Sequence, residues 1–340
     1  MIELSIEDME HKYVYAIELL LWSSTHGSEV KYDYCTYYYN QCNIQNPRKL
    51  HLWLYENGYL RAATLEESLM CYTTVWLKNL ADVYNCKKSG KKADIIHRII
   101  LNMSDADKIK YTNRSLLFMT QKGLNFYTNN YDLVKLHLHG KIPFAEYLPY
   151  RSSSCFEENV IRLYQDKLKS YMSQYHYSGV SFCYQEFHQL YAALNEPELA
   201  MLYLLYSLYY SVNCTDSYSF YFDPENIKFY GIASMKKRLL ESSNILFPYQ
   251  CKEINSYSKY YTESMVDEIY QNAVLPCQLM NPKTFKRMIN DVITNISVDR
   301  NRYLAIIADN YVRLIKNSKN PKQPHQSLAQ KVLSIVQKYI

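Results

Sequence analysis

The chain has 340 residues, and its 38 Lys and Arg against 33 Asp and Glu leave a net charge of only +5. This length predicts one to three domains with ample core, and so small a charge excess does not by itself indicate a nucleic-acid-binding protein. With only 7 Gly and 10 Pro, the composition argues against low-complexity linkers, collagen and a turn-rich all-β fold. No glycine-rich phosphate loop of the Rossmann or P-loop kind occurs.

Tyrosine is the most unusual feature of the composition, with 37 residues beside 11 Phe and 3 Trp. The densest cluster lies at residues 32–39, and Lys31 is the one lysine beside it. Stacking on the bases of a single strand would need more cations along such a cluster. We therefore expect the tyrosines to pack cores and helix interfaces, with their hydroxyl groups at the edges.

The sequence predicts neither a membrane segment nor a secretion signal. No apolar run reaches about 18 residues, and the first residues are acidic where a signal peptide would be basic and then apolar. The nine cysteines include no Cys-x-x-Cys pair, so we expect reduced thiols. These features predict a cytoplasmic protein without a membrane partner.

No metal or other cofactor is predicted. His137 and His139 would share a face if they lay on a strand, but no set of cysteines or carboxylates accompanies them. Cys35, Cys42 and His51 are irregularly spaced, whereas a structural zinc site needs four ligands. We expect these side chains to be packed or at the surface.

In chain order, the first elements are predicted to be helices. Apolar residues spaced three and four apart predict a helix over residues 7–23. Pro47 can open a second helix, and Gly58 can cap its C-terminus. Thr64-Leu-Glu-Glu67 has the spacing of a capping box and predicts a helix over 64–71.

Two short helices with a basic turn between them are predicted at residues 73–102. Thr74 is expected to cap a helix over Val75–Tyr84, and Lys91–Asp94 to open a second helix with apolar positions at 95, 96, 99 and 100. Each helix is too short to stand alone, so each must bury its apolar stripe on the other. Further on, residues 116–119 are apolar and predict a strand or the start of a helix.

This helical pair carries most of the net charge of the chain. Between Thr73 and Ile100 there are six Lys and Arg residues against two Asp, a net +4. The lysines cluster at the turn and at the start of the second helix, where backbone N–H groups favour an anion. Gly90 would let the backbone approach a phosphate closely. About four phosphate contacts would give a log–log salt slope near −4. The residues that we expect to contact DNA are Thr74, Lys78, Lys87, Lys88, Ser89, Gly90, Lys91, Lys92 and Arg98.

The same residues resemble a SAP domain, a small helical DNA-binding module. The matching residues are Leu77-Lys78, Leu80, Ser89-Gly90-Lys91-Lys92-Ala93-Asp94, Ile95, Ile96, Arg98 and Ile99. Asn85-Cys86 stands where the family usually has Gly-Leu, and because Asn tolerates the left-handed conformation we expect the turn to be kept. Two flanks, at 57–60 and 118–123, are similar to those of SAP domain-containing proteins of Firmicutes and their phages. The resemblance implies binding to duplex DNA and no enzymatic activity. The alternative is a helical hairpin whose lysines only form a solvated face.

The second half of the chain is predicted to be helical almost throughout. The predicted helices are Glu158–Tyr175, Ser181–Leu194, Pro197–Val212, Gly231–Ser242, Ser264–Ala273, Pro282–Ile296, Arg300–Lys316 and Gln326–Tyr339. Within it, one stretch resembles a tetratricopeptide repeat, although His188 stands where a small residue is usual. The residues that carry this resemblance are Tyr184, Phe187, Tyr191, Ala200, Leu204 and Ser207. An ordinary helical bundle is the alternative, and either would be a scaffold for a protein partner.

The sequence thus predicts a mainly α protein. Its expected parts are an N-terminal helical region (1–72), the SAP-like module (73–102), a small α/β or winged extension (103–150) and a helical scaffold (151–340). The expected function is non-enzymatic DNA binding, with duplex DNA and a protein as partners. One alternative is a phage or mobile-element factor that inhibits a host nucleic-acid machine through protein contacts. A metal-dependent nuclease stays open as a third hypothesis, since active sites can assemble from distant residues.

Overall fold

A computed structural model describes residues 5–317, except for 154, 175, 214–217, 243–244, 274, 276–277 and 295–297. The chain is mainly helical, as its sequence predicts. It divides into two compact units, Met1–Phe156 and Glu157–Ile340. None of the helices in the described ranges is both long enough and apolar enough to cross a membrane.

The first unit combines short helices with one small sheet. Its helices are α1 (Ile6–Ser23), α2 (Thr36–Asn40), α3 (Pro47–Glu56), α4 (Leu65–Met70), α5 (Thr74–Val83), α6 (Lys92–Asn102), α7 (Asp105–Tyr111), α8 (Gln121–Asn129), α9 (Tyr131–His139) and α10 (Phe144–Tyr147), the last followed by a 3-10 turn at Leu148–Tyr150. Its strands are β1 (Ser28–Glu29), β2 (Leu60–Ala62) and β3 (Leu116–Met119).

Local sequence signals set several of these boundaries. Pro47 occupies the first position of α3, and the Asn46 side chain accepts a hydrogen bond from a backbone N–H of its first turn. Gly58, just past the end of α3, has a φ of +76°, which a residue with a side chain rarely adopts. The predicted capping box of α4 is present, because Thr64 and Glu67 each accept a hydrogen bond from the other's backbone N–H.

The apolar run at 116–119 forms a strand, which settles the choice left open by the sequence. β3 lies between β1 and β2 and is antiparallel to both, with Ser28 opposite Leu117 and Leu60 opposite Met119. Leu116 and Leu117 are buried, so this strand supplies apolar surface as well as backbone hydrogen bonds. The sheet therefore joins the 103–150 segment to the first 72 residues.

The two segments that flank the helical pair in the sequence meet at this sheet. The Thr120 N–H donates to the carbonyl of Tyr59 at 2.9 Å, and the Thr120 hydroxyl donates to the carbonyl of Gly58 at 2.6 Å. The Lys122 ammonium lies 4.0 Å from the centre of the Tyr59 ring. Gly123 completes the contact, because a Cβ at this position would lie 2.2 Å from the Tyr59 carbonyl oxygen.

We expect Gly123→Ala to destabilise the first unit by about 2 kcal/mol or more, because the added methyl group would displace the backbone of Tyr59. The free energy of unfolding in urea measures this effect. Gly140→Ala is a suitable comparison. A Cβ at position 140 would lie 3.9 Å from the nearest atom, so the φ of +68° is the one source of strain in this variant. Equal losses in the two variants would contradict the close approach at Gly123.

A buried polar cluster connects α1 with α9. Asp132 accepts two hydrogen bonds from the Arg151 guanidinium, at 2.6 and 2.9 Å, and one from the Tyr147 hydroxyl at 2.8 Å. Glu18 is fully buried beside this group, and neither of its carboxylate oxygens has a hydrogen-bond partner among the described residues. Burial, with the nearby Asp132 charge, raises the pKa of Glu18 to about 9, which the Arg151 charge only partly offsets.

The three histidines that were considered as possible metal ligands all lie on helices. His137 and His139 lie on the helix α9, so their side chains do not share a face as they would on a strand. His51 is buried, with its two ring nitrogens within hydrogen-bond distance of the Ser28 and Tyr34 hydroxyls. Desolvation lowers the pKa of His51 to about 4.

The second unit is a succession of helices. They are α11 (Phe156–Ser173), α12 (Tyr177–Ala193), α13 (Pro197–Val212), α14 (Tyr218–Tyr221), α15 (Pro224–Tyr230), α16 (Ile232–Ser242), α17 (Pro248–Ser256), α18 (Glu263–Asn272), α19 (Pro282–Ile293) and α20 (Arg300–Asn317), with a 3-10 turn at Ser258–Tyr260. Seven of these agree with the predicted helices to within a few residues, whereas α14, α15 and α17 were not predicted. The predicted helix Gln326–Tyr339 lies outside the described residues.

The helices α12 and α13 pack extensively against each other. Ala200 is completely buried, and its small side chain permits a close approach of the two helices. His188, which departs from the tetratricopeptide pattern, donates from Nδ1 to the Ala200 carbonyl at 2.8 Å. Tyr184 stacks on Tyr206 with 4.7 Å between ring centres, so tyrosines pack this interface as the composition suggested.

Candidate nucleic-acid interface

The predicted helical pair is part of a four-helix cluster. α5 and α6 pack on each other as expected, but α4 and α7 complete their apolar core. The buried residues of this core are Leu69, Leu77, Leu80, Ala81, Ile95, Ile96, Ile99 and Met103. Because α4 and α7 contribute, the packing unit extends beyond the predicted segment 73–102 on both sides.

The start of α5 lies one residue earlier than predicted. Thr73 is the N-cap, and its hydroxyl accepts from the Trp76 N–H at 3.3 Å. Thr74 is the first helical residue and is exposed. The capping assignment of Thr74 was wrong because two threonines are adjacent, and the sequence pattern alone does not distinguish which of them leaves the helical conformation.

Two residues with positive φ angles shape the turn between α5 and α6, and hydrogen bonds from Arg98 stabilise it. Asn85 has a φ of +53°, the left-handed conformation predicted for it, and Gly90 has a φ of +115°. The Arg98 guanidinium donates to the carbonyls of Lys87 at 3.0 Å and Ser89 at 2.5 Å. The Cys86 thiol donates in turn to the Arg98 carbonyl. The basic turn, residues 85–91, is therefore braced against α6.

Three of the six cations are engaged inside the module. Lys88 forms an ion pair with Asp82 at 2.5 Å, and the Lys92 ammonium donates to the Met70 carbonyl at 2.5 Å. Arg98 is committed to the turn. A carbonyl does not neutralise a cation, however, so Lys88 is the one cation of this group that a described carboxylate pairs.

The ammonium groups of Lys78, Lys87 and Lys91 have no hydrogen bond or ion pair with any described residue. All three side chains belong to exposed residues. Lys78 lies one helical turn before Asp82 on α5, on the same face as Thr74. It is therefore near Lys88, whose ammonium pairs with Asp82. Lys87 and Lys91 lie at either end of the Ser89-Gly90 bend.

The N-terminus of α6 differs from those of the neighbouring helices. Thr64, Thr73 and Ser104 cap α4, α5 and α7 with their hydroxyl oxygens. The N-cap of α6 is Lys91, whose ammonium cannot accept a hydrogen bond. Asp94 accepts from the Lys91 N–H at 3.1 Å, but no side chain caps the first-turn N–H groups of α6. An oxyanion could fill this position.

Sequence reasoning missed the partners that position these cations. Asp82 and the Met70 carbonyl carry no motif, and Asp82 is six residues from Lys88, a spacing that no helical rule connects. Desolvation, with the nearby Asp107 carboxylate, raises the pKa of Tyr84 to about 12.

Comparison with protein families, with curated proteins and with solved structures gave no match.

Proposed function

We propose that the module formed by α4–α7 binds the phosphate backbone of duplex DNA as a SAP-like, non-enzymatic domain. The observation that carries this proposal is the charge of residues 73–100, because only one of the six cations in this segment is paired by a described carboxylate. Lys78, Lys87 and Lys91 supply exposed ammonium groups, and the uncapped N–H groups of α6 supply directed donors. The role of Arg98 is to brace the basic turn.

This interface would recognise phosphates with little discrimination between bases. Lysine contacts to phosphate set the position of a protein on DNA but carry no sequence information. We therefore expect weak sequence preference, with A·T-rich sites favoured by groove shape. The SAP resemblance at 77–99 and the meeting of the two flanking segments at β2 and β3 support the proposal further.

The decisive experiment is a gel-shift salt titration of the full chain on duplex and on single-stranded DNA. The three free ammonium groups of residues 73–100 predict a log–log slope of about −3 for the duplex, since each neutralised phosphate contributes about 0.9. This is shallower than the slope near −4 expected from the sequence, because the Lys88 charge is already paired. Binding that is independent of salt, or absent at low salt, would refute the proposal.

Removing the paired carboxylate should strengthen DNA binding. We expect Asp82→Asn to free Lys88, to tighten duplex binding several-fold and to steepen the salt slope by about 1. The ion pair is about half exposed on both sides, so its loss should change stability by less than about 1 kcal/mol. Asp166→Asn is the matched control, since the Lys169–Asp166 pair has nearly the same exposure. An unchanged affinity in Asp82→Asn would argue against Lys88 as a phosphate contact.

For the helical second unit we propose a protein partner, with α12 and α13 as a tetratricopeptide-like pair. The support is the close α12–α13 contact around Ala200 and the aromatic packing at Tyr184. The DNA-binding module and this scaffold together would place a second protein on DNA.

A second candidate function is protein interaction alone, as in a phage or mobile-element inhibitor of a host nucleic-acid machine. One observation favours it, which is that four aliphatic side chains of the α4–α7 module are about two-thirds exposed. They are Val75, Val83, Leu101 and Ile109. Such residues are more typical of a protein contact than of a phosphate contact. A pulldown before and after DNase treatment separates the two functions, because a partner kept after digestion does not depend on DNA.

A further inference from the structure

A cleft in the second unit has the size of a small-molecule site. It lies between α12 and α17, with a volume of about 520 Å³, within the range of ligand pockets. One wall is the face of α17 formed by residues 249, 252, 253, 256 and 257, which are spaced three and four apart. Polar and aromatic side chains thus line a gap that two packed helices would normally fill with aliphatic ones.

Glu253 lines this cleft and has one unsatisfied carboxylate oxygen. Its Oε2 atom is buried and has no hydrogen-bond partner among the described residues. A buried carboxylate oxygen without a donor is costly, and a charged donor is the partner that compensates it best. The Oε2 atom of Glu253 therefore lacks a cationic donor among the described residues.

His188 supplies a second acceptor. Because a carbonyl can only accept, the contact with the Ala200 carbonyl requires the proton on Nδ1, and Nε2 of the neutral ring is left with its lone pair. Tyr257 packs edge-on against the imidazole, with 5.1 Å between ring centres, and so restrains the ring. Tyr249 and Tyr257 also give the cleft aromatic surface, which attracts cations.

We propose that this cleft binds a guanidinium or primary ammonium group through Glu253 and His188. The group could belong to a free amine or to an arginine side chain of a protein partner, since both offer the same chemistry. Lys252 lies on the same wall and is exposed, so its like charge weakens the binding of such a cation without preventing it. This inference does not depend on DNA binding by the first unit.

Calorimetric titration of the full chain with agmatine and with the peptide acetyl-Gly-Arg-Gly-amide tests the proposal. We expect at least one of them to bind at a single site. Binding of the peptide alone would identify a protein segment as the ligand, and binding of agmatine alone would identify a free amine. If neither binds the wild-type protein, the proposal is wrong.

Three variants assign the residues. Glu253→Gln should weaken binding roughly tenfold or more, whereas Glu268→Gln, an exposed glutamate of α18 outside the cleft, should not change it. His188→Asn, which can still donate to the Ala200 carbonyl, should also weaken it.

Lys252→Gln should tighten agmatine binding a few-fold by removing a like charge, and because this side chain is exposed the variant is expected to fold. Wild-type affinity in Glu253→Gln, or weaker agmatine binding in Lys252→Gln, would overturn the assignment. Duplex affinity should be unchanged in all of them, which separates this site from the DNA interface.

Discussion

The variant Lys87→Ala/Lys91→Ala should lose roughly tenfold or more in affinity for duplex DNA, and its salt slope should fall from about −3 to about −1. The reason is that two of the three exposed ammonium groups of residues 73–100 without a described partner are removed. Lys92 is not included, because its ammonium binds the Met70 carbonyl and its replacement would mix folding with binding.

The matched control is Lys31→Ala/Lys49→Ala, which removes the same charge from two exposed positions of the same unit. It should change the affinity by less than about twofold. Trp76 lies partly buried against the core of the α4–α7 module, so it contributes to the tryptophan fluorescence of the first unit, which reports whether each variant stays folded. Equal affinities for the two double variants, with the module folded, would remove the DNA-binding proposal.

The variant Glu18→Gln should stabilise the first unit at neutral and alkaline pH. The folded state keeps the proton of Glu18 up to a pKa of about 9, whereas the unfolded chain releases it near 4.5. Between these values the folded state binds more protons, so stability decreases as the pH rises through this window. At pH 7, keeping this proton in the folded state lowers the free energy of unfolding by about 3 kcal/mol. A glutamine does not titrate, so the variant avoids this loss, although burying the amide offsets part of it. We expect the free energy of unfolding of Glu18→Gln to be about 1–3 kcal/mol higher than that of the wild type at neutral pH.

Urea unfolding at pH 5 and pH 8 measures this effect. All three tryptophans of the chain, Trp22, Trp53 and Trp76, lie in the first unit, so their fluorescence follows that unit even in the full protein. The gain in Glu18→Gln should be small at pH 5 and large at pH 8. Glu7→Gln, an exposed change on the same helix, should keep the pH dependence of the wild type. Parallel pH profiles for wild type and Glu18→Gln would show that this carboxylate does not titrate as inferred.

Local signals in the sequence were sufficient for many elements of the fold. The capping box at Thr64, the proline at the start of α3 and the left-handed Asn85 depend on neighbours within a few residues, and the structure contains all three. Where the signals were weak, the predictions missed elements, as with α14, α15 and α17. These helices are short, so few apolar repeats mark them.

The candidate sites depended on contacts between residues that no local sequence pattern connects. The charge of the basic turn was visible in the sequence, but the pairing of Lys88 by Asp82 and the use of Arg98 as a brace were not. The same holds for Glu18 beside Asp132, and for His188 across the cleft from Glu253. In each case the two residues carry no common motif.

The helical class, most helix positions and the concentration of positive charge between residues 73 and 100 could be predicted, because periodicity, caps and charge are local properties of a chain. Which of those charges remain exposed, which helices close the core of the module and which carboxylate oxygens are buried without a partner became visible only in the packed structure. These outcomes follow from desolvation and from hydrogen-bond geometry between distant segments, and both arise only when the helices pack.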